Sequence, residues 1–222
     1  MVVIFDKEYL RELYINGRTT SKKYRFRSDI VTRYIKVINT MKVQNNVNDL
    51  ARLGSLHYEH LKGDKAGFSS VRVNDKYRIE FTEETEGNQK IATICNITEL
   101  SNHYKWPDMI HIEGIKDEMI ANNLTPYAPT YPGEVVKDEI EYRGITQRQL
   151  SEVTGIAYSV VNEVLNGKRP MTVEYALLIG KALDIEAMPL ISMQSEYDMQ
   201  MAKRSKTFAA RLSNMRKIAA VL

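Results

Sequence analysis

Cysteine, tryptophan and histidine are scarce: one, one and four among 222 residues. The lone Cys95 cannot close an internal disulfide, and inside the strand-like run IATICNITEL it reads as a small buried apolar residue. His57 and His60 lack a third ligand at useful spacing, and Glu83, Glu84 and Glu86 read as a solvated hairpin loop, so no metal and no cofactor is expected. Long hydrophobic runs are missing too. No stretch approaches the roughly eighteen apolar residues of a membrane helix. The opening MVVIFDKEYL meets charge too early for a secretory leader, so the expected setting is the cytoplasm, without a membrane partner. Repeats and low-complexity tracts are also absent.

What remains is 43% hydrophobic and 27% charged, a soluble globular composition long enough for two cores. The net charge of +3 is unevenly placed. Residues 1–82 hold 16 Lys or Arg against 9 Asp or Glu, whereas residues 109–222 hold 13 against 14. A basic first half suggests a polyanionic partner, although a solvated basic face reads the same way.

The segment ITQRQLSEVTGIAYSVVNEVLNGKRP, residues 145–170, predicts two short helices around a glycine turn. Thr146 with Gln149 forms a capping box that starts a helix at Gln147, and Leu150 and Val153 share its face. Gly155 stops that helix where a positive φ is needed. From Ala157 to Asn166, Val161, Val164 and Leu165 form an inward stripe, leaving Tyr158, Ser159 and Asn162 outward to meet base edges. Gly167 closes the helix, and Lys168 and Arg169 follow as phosphate contacts, with Gln147 beside them. This is the spacing of a DNA-reading helix-turn-helix.

The first hundred residues read as α+β: a strand at Val2–Phe5, helices at Asp6–Ile15 and Asp29–Met41, and strands at Phe68–Val73, Tyr77–Thr82 and Ile91–Ile97. The second helix carries Ile30, Tyr34, Val37, Ile38 and Met41. Residues 43–67 read mostly as loop, and the last two strands are joined through Gly87 and Asn88. The expected architecture is two helices on a small antiparallel sheet followed by an all-α helix-turn-helix bundle. The boundaries are residues 1–107, a linker with an amphipathic segment at 108–131, the bundle at 132–198, and a basic helix or tail at 199–222. Trp106, Pro107 and Asp108 break the last strand, Ile115, Met119 and Ile120 mark the amphipathic segment, and Met109 looks like the start of a second polypeptide joined to the first. The tail holds six basic residues and no acidic one, with Phe208, Leu212, Met215 and Leu222 on a stripe and Ile218 nearby.

Alternation puts Arg72 and Arg78 on the polar faces of neighbouring strands, with Lys62 just before them. Three cations converging on a concave sheet would stabilise a pentacoordinate phosphate, and His103 or Tyr104 could move protons. Cations on a sheet face can equally pair with carboxylates or water.

The residues LKG at Leu61–Gly63, GFSSVRVN at Gly67–Asn74 and YRIEF at Tyr77–Phe81 resemble the HigB branch of the RelE toxin superfamily, across about residues 1–105. The resemblance implies a compact α+β toxin that cleaves mRNA in the ribosomal A site without a metal. The 2′-hydroxyl would attack the adjacent phosphate, with Arg72 and Arg78 stabilising it, Lys62 positioning it, and His103 in proton transfer. Asn102-His103-Tyr104 stands where the family often has Asp-Tyr-His, and Tyr77 where tryptophan is common. The segment from about Pro132 to Leu190 resembles the repressor-like helix-turn-helix family, which implies a five-helix bundle reading the major groove. The order of the two matches a HigBA toxin–antitoxin pair. The implied function is an mRNA endonuclease neutralised by an operator-binding autorepressor. Its implied partners are operator DNA with an inverted repeat, mRNA on the ribosome, the other half of the chain, and a second copy paired through the antitoxin half. The rival readings are a transcriptional regulator with an inactive N-terminal sensing or interaction domain, and a DNA-directed nuclease.

Overall fold

The computed structural model describes residues 1–84, 94–101 and 119–215. Gly87, Asn88, His103, Tyr104, Trp106, Pro107, Met109, Ile115, Ile218 and Leu222 lie outside the described residues, as does the side chain of Cys95.

Strand β1 (Val2–Phe5) leads into helices α1 (Glu8–Asn16), α2 (Ser28–Val43) and α3 (Val47–Arg52), then strands β2 (Glu59–His60), β3 (Phe68–Arg72), β4 (Arg78–Glu84) and β5 (Ile94–Ser101). The sheet order is β1-β5-β4-β3-β2. Neighbours are antiparallel except β1, which runs parallel to β5. A parallel neighbour requires a long crossover, and α1 and α2 lie within it. Alternation sends Val71, Val73, Ile79 and Phe81 into the core and leaves Ser70, Arg72 and Arg78 on the opposite face. The β3–β4 turn is set by Asn74, whose Oδ1 accepts the backbone N–H of Lys76 and of Tyr77, each at 2.9 Å.

The segment read as loop, residues 43–67, is largely built. It holds α3, capped by Asn46 accepting Asp49 N–H at 3.2 Å, two 3-10 turns at Gly54–Leu56 and Gly63–Lys65, and β2. Elements of six residues or fewer are too short to show an apolar period.

The C-terminal part contains α4 (Pro132–Tyr142), α5 (Gln147–Thr154), α6 (Tyr158–Leu165), α7 (Val173–Leu183), α8 (Ala187–Arg204) and α9 (Lys206–Ser213). Helix α8 continues unbroken through residue 198, and α9 is exposed. Residues 119–127 are not a free tether. Ile120 bridges Ile4 in antiparallel sense, Val3 N–H donates to Asn122 Oδ1 at 2.9 Å, and Tyr127 N–H donates to Tyr14 O at 2.7 Å. The amphipathic segment thus ends along the β1 edge, with Ala121 fully buried.

Helix α2 is the layer between the sheet and the C-terminal part, which is why ten of its sixteen residues are buried. Its outward side is polar. Asn39 accepts from Tyr14 Oη at 2.7 Å and donates to Thr130 Oγ1 at 3.0 Å. Lys42 Nζ lies 3.5 Å from Glu196 Oε2 on α8. Burial holds the Lys42 ammonium below its usual pKa, Glu196 pulls it partly back, and the same burial pushes the Tyr14 phenol up. Lys36 pairs with Asp138, and Arg52 Nη1 lies 2.7 Å from Glu186 Oε1. In all three ion pairs the cation comes from the N-terminal part and the anion from the C-terminal part.

Fully buried Glu139 on α4 is the tightest link. Its carboxylate accepts the N–H of Gly54 and of Ser55, each at 3.0 Å, and Arg143 Nε at 2.7 Å. Glu139→Ala strands two backbone donors and should lower the unfolding free energy by about 2–4 kcal/mol. Urea denaturation checks this; a loss within about 0.5 kcal/mol, the range of ordinary surface changes, would contradict it.

Candidate functional site

Arg72 and Arg78 are directly opposite each other across β3 and β4. Like charges in that register repel, so the pair persists only with compensating partners or an anion to hold. Arg78 is held by three acceptors: Nε donates to Ser70 Oγ at 2.9 Å, and Nη2 reaches His57 O at 2.6 Å and Glu59 Oε1 at 2.9 Å. Arg72 pairs with Asp75 and donates from Nη1 to His57 Nε2 at 2.8 Å. Lys65 and Glu80, paired at 2.7 Å and buried, occupy the polar face beyond.

His57 adopts a left-handed backbone, φ 44° and ψ 50°, immediately after the 3-10 turn at Gly54–Leu56. Such a conformation costs a non-glycine residue roughly 1–2 kcal/mol and is common at functional sites. Here it turns the ring toward Arg72 and the carbonyl toward Arg78. The turn is pinned by Glu139, so α4 fixes the histidine that joins both arginines.

A hollow of about 280 Å³ opens beside this cluster. One wall carries Arg33, Lys36, His57 and Arg72 from the N-terminal part, and the other carries Asp138, Glu141 and Tyr142 from α4. The Tyr142 ring meets His57 edge-on, with centroids 4.9 Å apart and planes at 80°. It also lies against Gly54, where any Cβ would strike the ring. Tyr142 closes over the histidine only because residue 54 has no side chain.

Of the residues expected to share a phosphate site, Arg72 lines this hollow, Arg78 adjoins it through His57, and Lys62 is exposed and lines no part of it. His103 and Tyr104 lie outside the described residues. In sequence His57 looks like an ordinary loop residue, because its link to Arg72 depends on a sheet that brings residues fifteen apart together. Arg33 and Lys36 look in sequence like the solvated side of α2. Among the described residues, no group of three or more His, Cys, Asp or Glu is placed to hold a metal ion.

The second candidate site is the α5–α6 pair. Thr146 and Gln149 form the capping box, with Gln149 N–H donating to Thr146 Oγ1 at 3.2 Å and Thr146 N–H to Gln149 Oε1 at 2.8 Å. Gly155 turns the chain at φ 71°, and small Ser151 ties the turn by donating to Ile156 O at 2.6 Å. Leu150, Ile156, Val161, Val164 and Leu165 are buried between the helices. Val153 departs from the expected shared face: it is 74% exposed, while Thr154, one turn after Leu150, donates to Leu150 O at 2.6 Å. Tyr158 and Ser159 are exposed at the start of α6. Asn162 donates to Gln147 Oε1 at 3.0 Å, which joins the two helices at the outer surface. Lys168 is exposed, and Arg169 Nε lies 2.7 Å from Glu163 Oε2.

Residues 3–95 match the family of RelE-like toxins of the type II toxin–antitoxin system HigB, and residues 136–188 match the helix-turn-helix family. Virulence-associated protein I of Dichelobacter nodosus is 27% identical over 77 residues, covering 34% of this chain and 71% of that protein. An addiction module antidote protein of the HigA family from Coxiella burnetii has 24% identity and a TM-score of 0.36, covering 40% of this chain and 98% of its own. The Pseudomonas aeruginosa antitoxin HigA, solved with the higBA promoter, has 22% identity and a TM-score of 0.38, covering 41% of this chain and 99% of its own. From the two family matches, the chain carries a HigB-like, RelE-type toxin region at residues 3–95 followed by a helix-turn-helix region at residues 136–188.

Proposed function

We propose that this chain is a toxin and its antitoxin in one polypeptide: an mRNA endoribonuclease held inactive by the domain that also binds and represses its own operator. The observation that carries the reading is the composition of the hollow, net cationic on the toxin side, where Arg33, Lys36 and Arg72 outnumber Asp75, and anionic on the α4 side. Asp138 and Glu141 supply there the negative charge that an RNA phosphate would otherwise bring, and Tyr142 covers His57.

With α4 displaced, Arg72 would face the scissile phosphate and Arg78 would steady Arg72's neighbour His57 from below. The RNA 2′-oxygen attacks phosphorus as its proton leaves to a base, the bond from phosphorus to the 5′-oxygen breaks, and that oxygen takes a proton. The products are a 2′,3′-cyclic phosphate and a 5′-hydroxyl. Two extra-charged equatorial oxygens in the transition state are what a guanidinium stabilises. His57 is placed for one proton transfer, because its ring lines the hollow and already touches Arg72. His103 and Tyr104 are proposed for the other transfer, and Lys62 for a more distant contact to the RNA backbone.

On the DNA side, α6 would enter the major groove with Tyr158, Ser159 and Asn162 at base edges, Gln147 bracing Asn162, and Lys168 and Arg169 on phosphates. The match of residues 136–188 to the helix-turn-helix family supports this role. Pairing of two copies through the C-terminal part, where Leu177 on α7 and Phe208 and Leu212 on α9 are exposed, would set the recognition helices about 34 Å apart on an inverted repeat.

Replacing Asp138, Glu141 and Tyr142 together by Ala in the full chain should open the hollow. Induced expression should then arrest growth and shorten ribosome-associated mRNA, and adding Arg72→Ala should lower cleavage about 10²–10³-fold and restore growth. A folded, soluble opened variant that leaves growth and mRNA intact would return the N-terminal domain to a sensing role. Separately, Lys168→Ala with Arg169→Ala should weaken operator binding and flatten its log–log salt dependence by about two, near 0.9 per lost phosphate contact. Mobility shifts across a salt series measure this; an unchanged slope would remove these residues from the DNA interface.

A further inference from the structure

A second hollow, about 460 Å³, adjoins the first and shares Arg33, Asn74 and Asp75 with it. Its other lining includes Arg25, Arg27, Lys76, Phe26 and Tyr77, and among the described residues none of the C-terminal part lines it. Helix α4 therefore covers the first hollow and leaves the second open.

The chemistry of this hollow is distinct. Arg27 lies 3.1 Å from Asp29, and Asp75 pairs with Arg72, but Arg25, Arg33 and Lys76 form no ion pair among the described residues. Uncompensated cations in one concavity favour a polyanion. The Phe26 and Tyr77 rings meet edge-on, with centroids 5.6 Å apart and planes at 88°. An edge-on pair leaves ring face uncovered by its partner, and a flat base can stack there. Cations that follow a backbone beside aromatic rings that take bases are the two components of a single-strand binding groove. The volume falls within the roughly 300–1,000 Å³ of ordinary ligand sites.

We propose that this hollow is a single-stranded RNA subsite that stays accessible in the intact chain, taking backbone phosphates on Arg25, Arg33 and Lys76 and one base against Tyr77. The choice of RNA as occupant rests on the endoribonuclease reading, because a strand lying here runs on past Arg33 into the hollow that holds Arg72. The fused protein then holds RNA without cutting it: the strand is gripped at one end while α4 denies it the reacting phosphate.

The test uses the full chain and a short unstructured fluorescent RNA, with binding followed by anisotropy over a salt series. Arg25→Ala with Lys76→Ala, both exposed positions outside the first hollow, should flatten the log–log salt slope by about 1.4, near 0.7 per cation. Should that pair unfold, Arg25→Gln alone should give about half the change. Tyr77→Leu should weaken binding about tenfold without altering the slope, since stacking carries no counterion release. Thiouridine-containing RNA should cross-link to residues 25–33 and 74–77. An unchanged slope in the cation variants, cross-links confined to residues 145–170, or poly-glutamate competing as well as RNA would each overturn the subsite. RNA capture here by a chain whose opened variant never cleaves would remove the nuclease reading alone. Cleavage by the opened variant without capture would remove this subsite alone.

Discussion

The buried carboxylate of Glu139 is the interaction on which the rest of the arrangement rests. It belongs to the helix-turn-helix half, yet it completes the hydrogen bonding of a turn in the toxin half by accepting from Gly54 and Ser55. That turn delivers His57 in its left-handed conformation, and His57 in turn meets Arg72 with its ring and Arg78 with its carbonyl. A charge removed from water is tolerable only when it is paired and hydrogen-bonded, and Arg143 supplies the countercharge as a third donor, on the oxygen that also accepts Gly54 N–H. One side chain thereby couples the docking of two domains to the geometry of two guanidinium groups.

Electrostatics gives the interface its direction. The toxin half supplies the cation and the other half the anion in the three ion pairs described between them, so the charge imbalance visible along the sequence reappears as complementarity in space. The interface also carries polar groups: Asn39, Lys42 and Lys36 sit on the outward side of α2, beside the buried apolar residues that the two halves share in one cluster. Such a surface can be hydrated when uncovered, which is the property of a partner interface more than of a domain interior.

Local signals carried most of what the sequence revealed. Thr146, Gln149 and Gly155 announce a helix-turn-helix within ten residues, because capping and positive φ are decided by near neighbours. The alternation of Ser70 and Arg72 with Val71 and Val73 likewise marks a strand and the face its arginine occupies. What stayed hidden depends on distant pairing. The parallel match of β1 with β5 joins residues about ninety apart, and α3 is too short to display a period. His57 gains significance only once β3 lies beside its turn, and Asp138 and Glu141 look like any solvated helix face until Lys36 and Arg72 are across from them. Val153 misleads for the opposite reason: its spacing from Leu150 suits a core, but α5 presents it to solvent.

The anchoring of residues 119–127 along β1 has a consequence for inhibition. With Ile120 bridged to Ile4 and Tyr127 bonded to Tyr14, the chain that leads to α4 is held at the surface it must cover, and a tethered group acts at an effective concentration in the millimolar range. If α4 inhibits as proposed, reclosure after a transient opening would be a unimolecular event, indifferent to dilution, and every molecule would be made with its own inhibitor in a fixed one-to-one ratio. Unequal synthesis of the two proposed activities, which would unbalance a pair of separate proteins, would then have no means of arising.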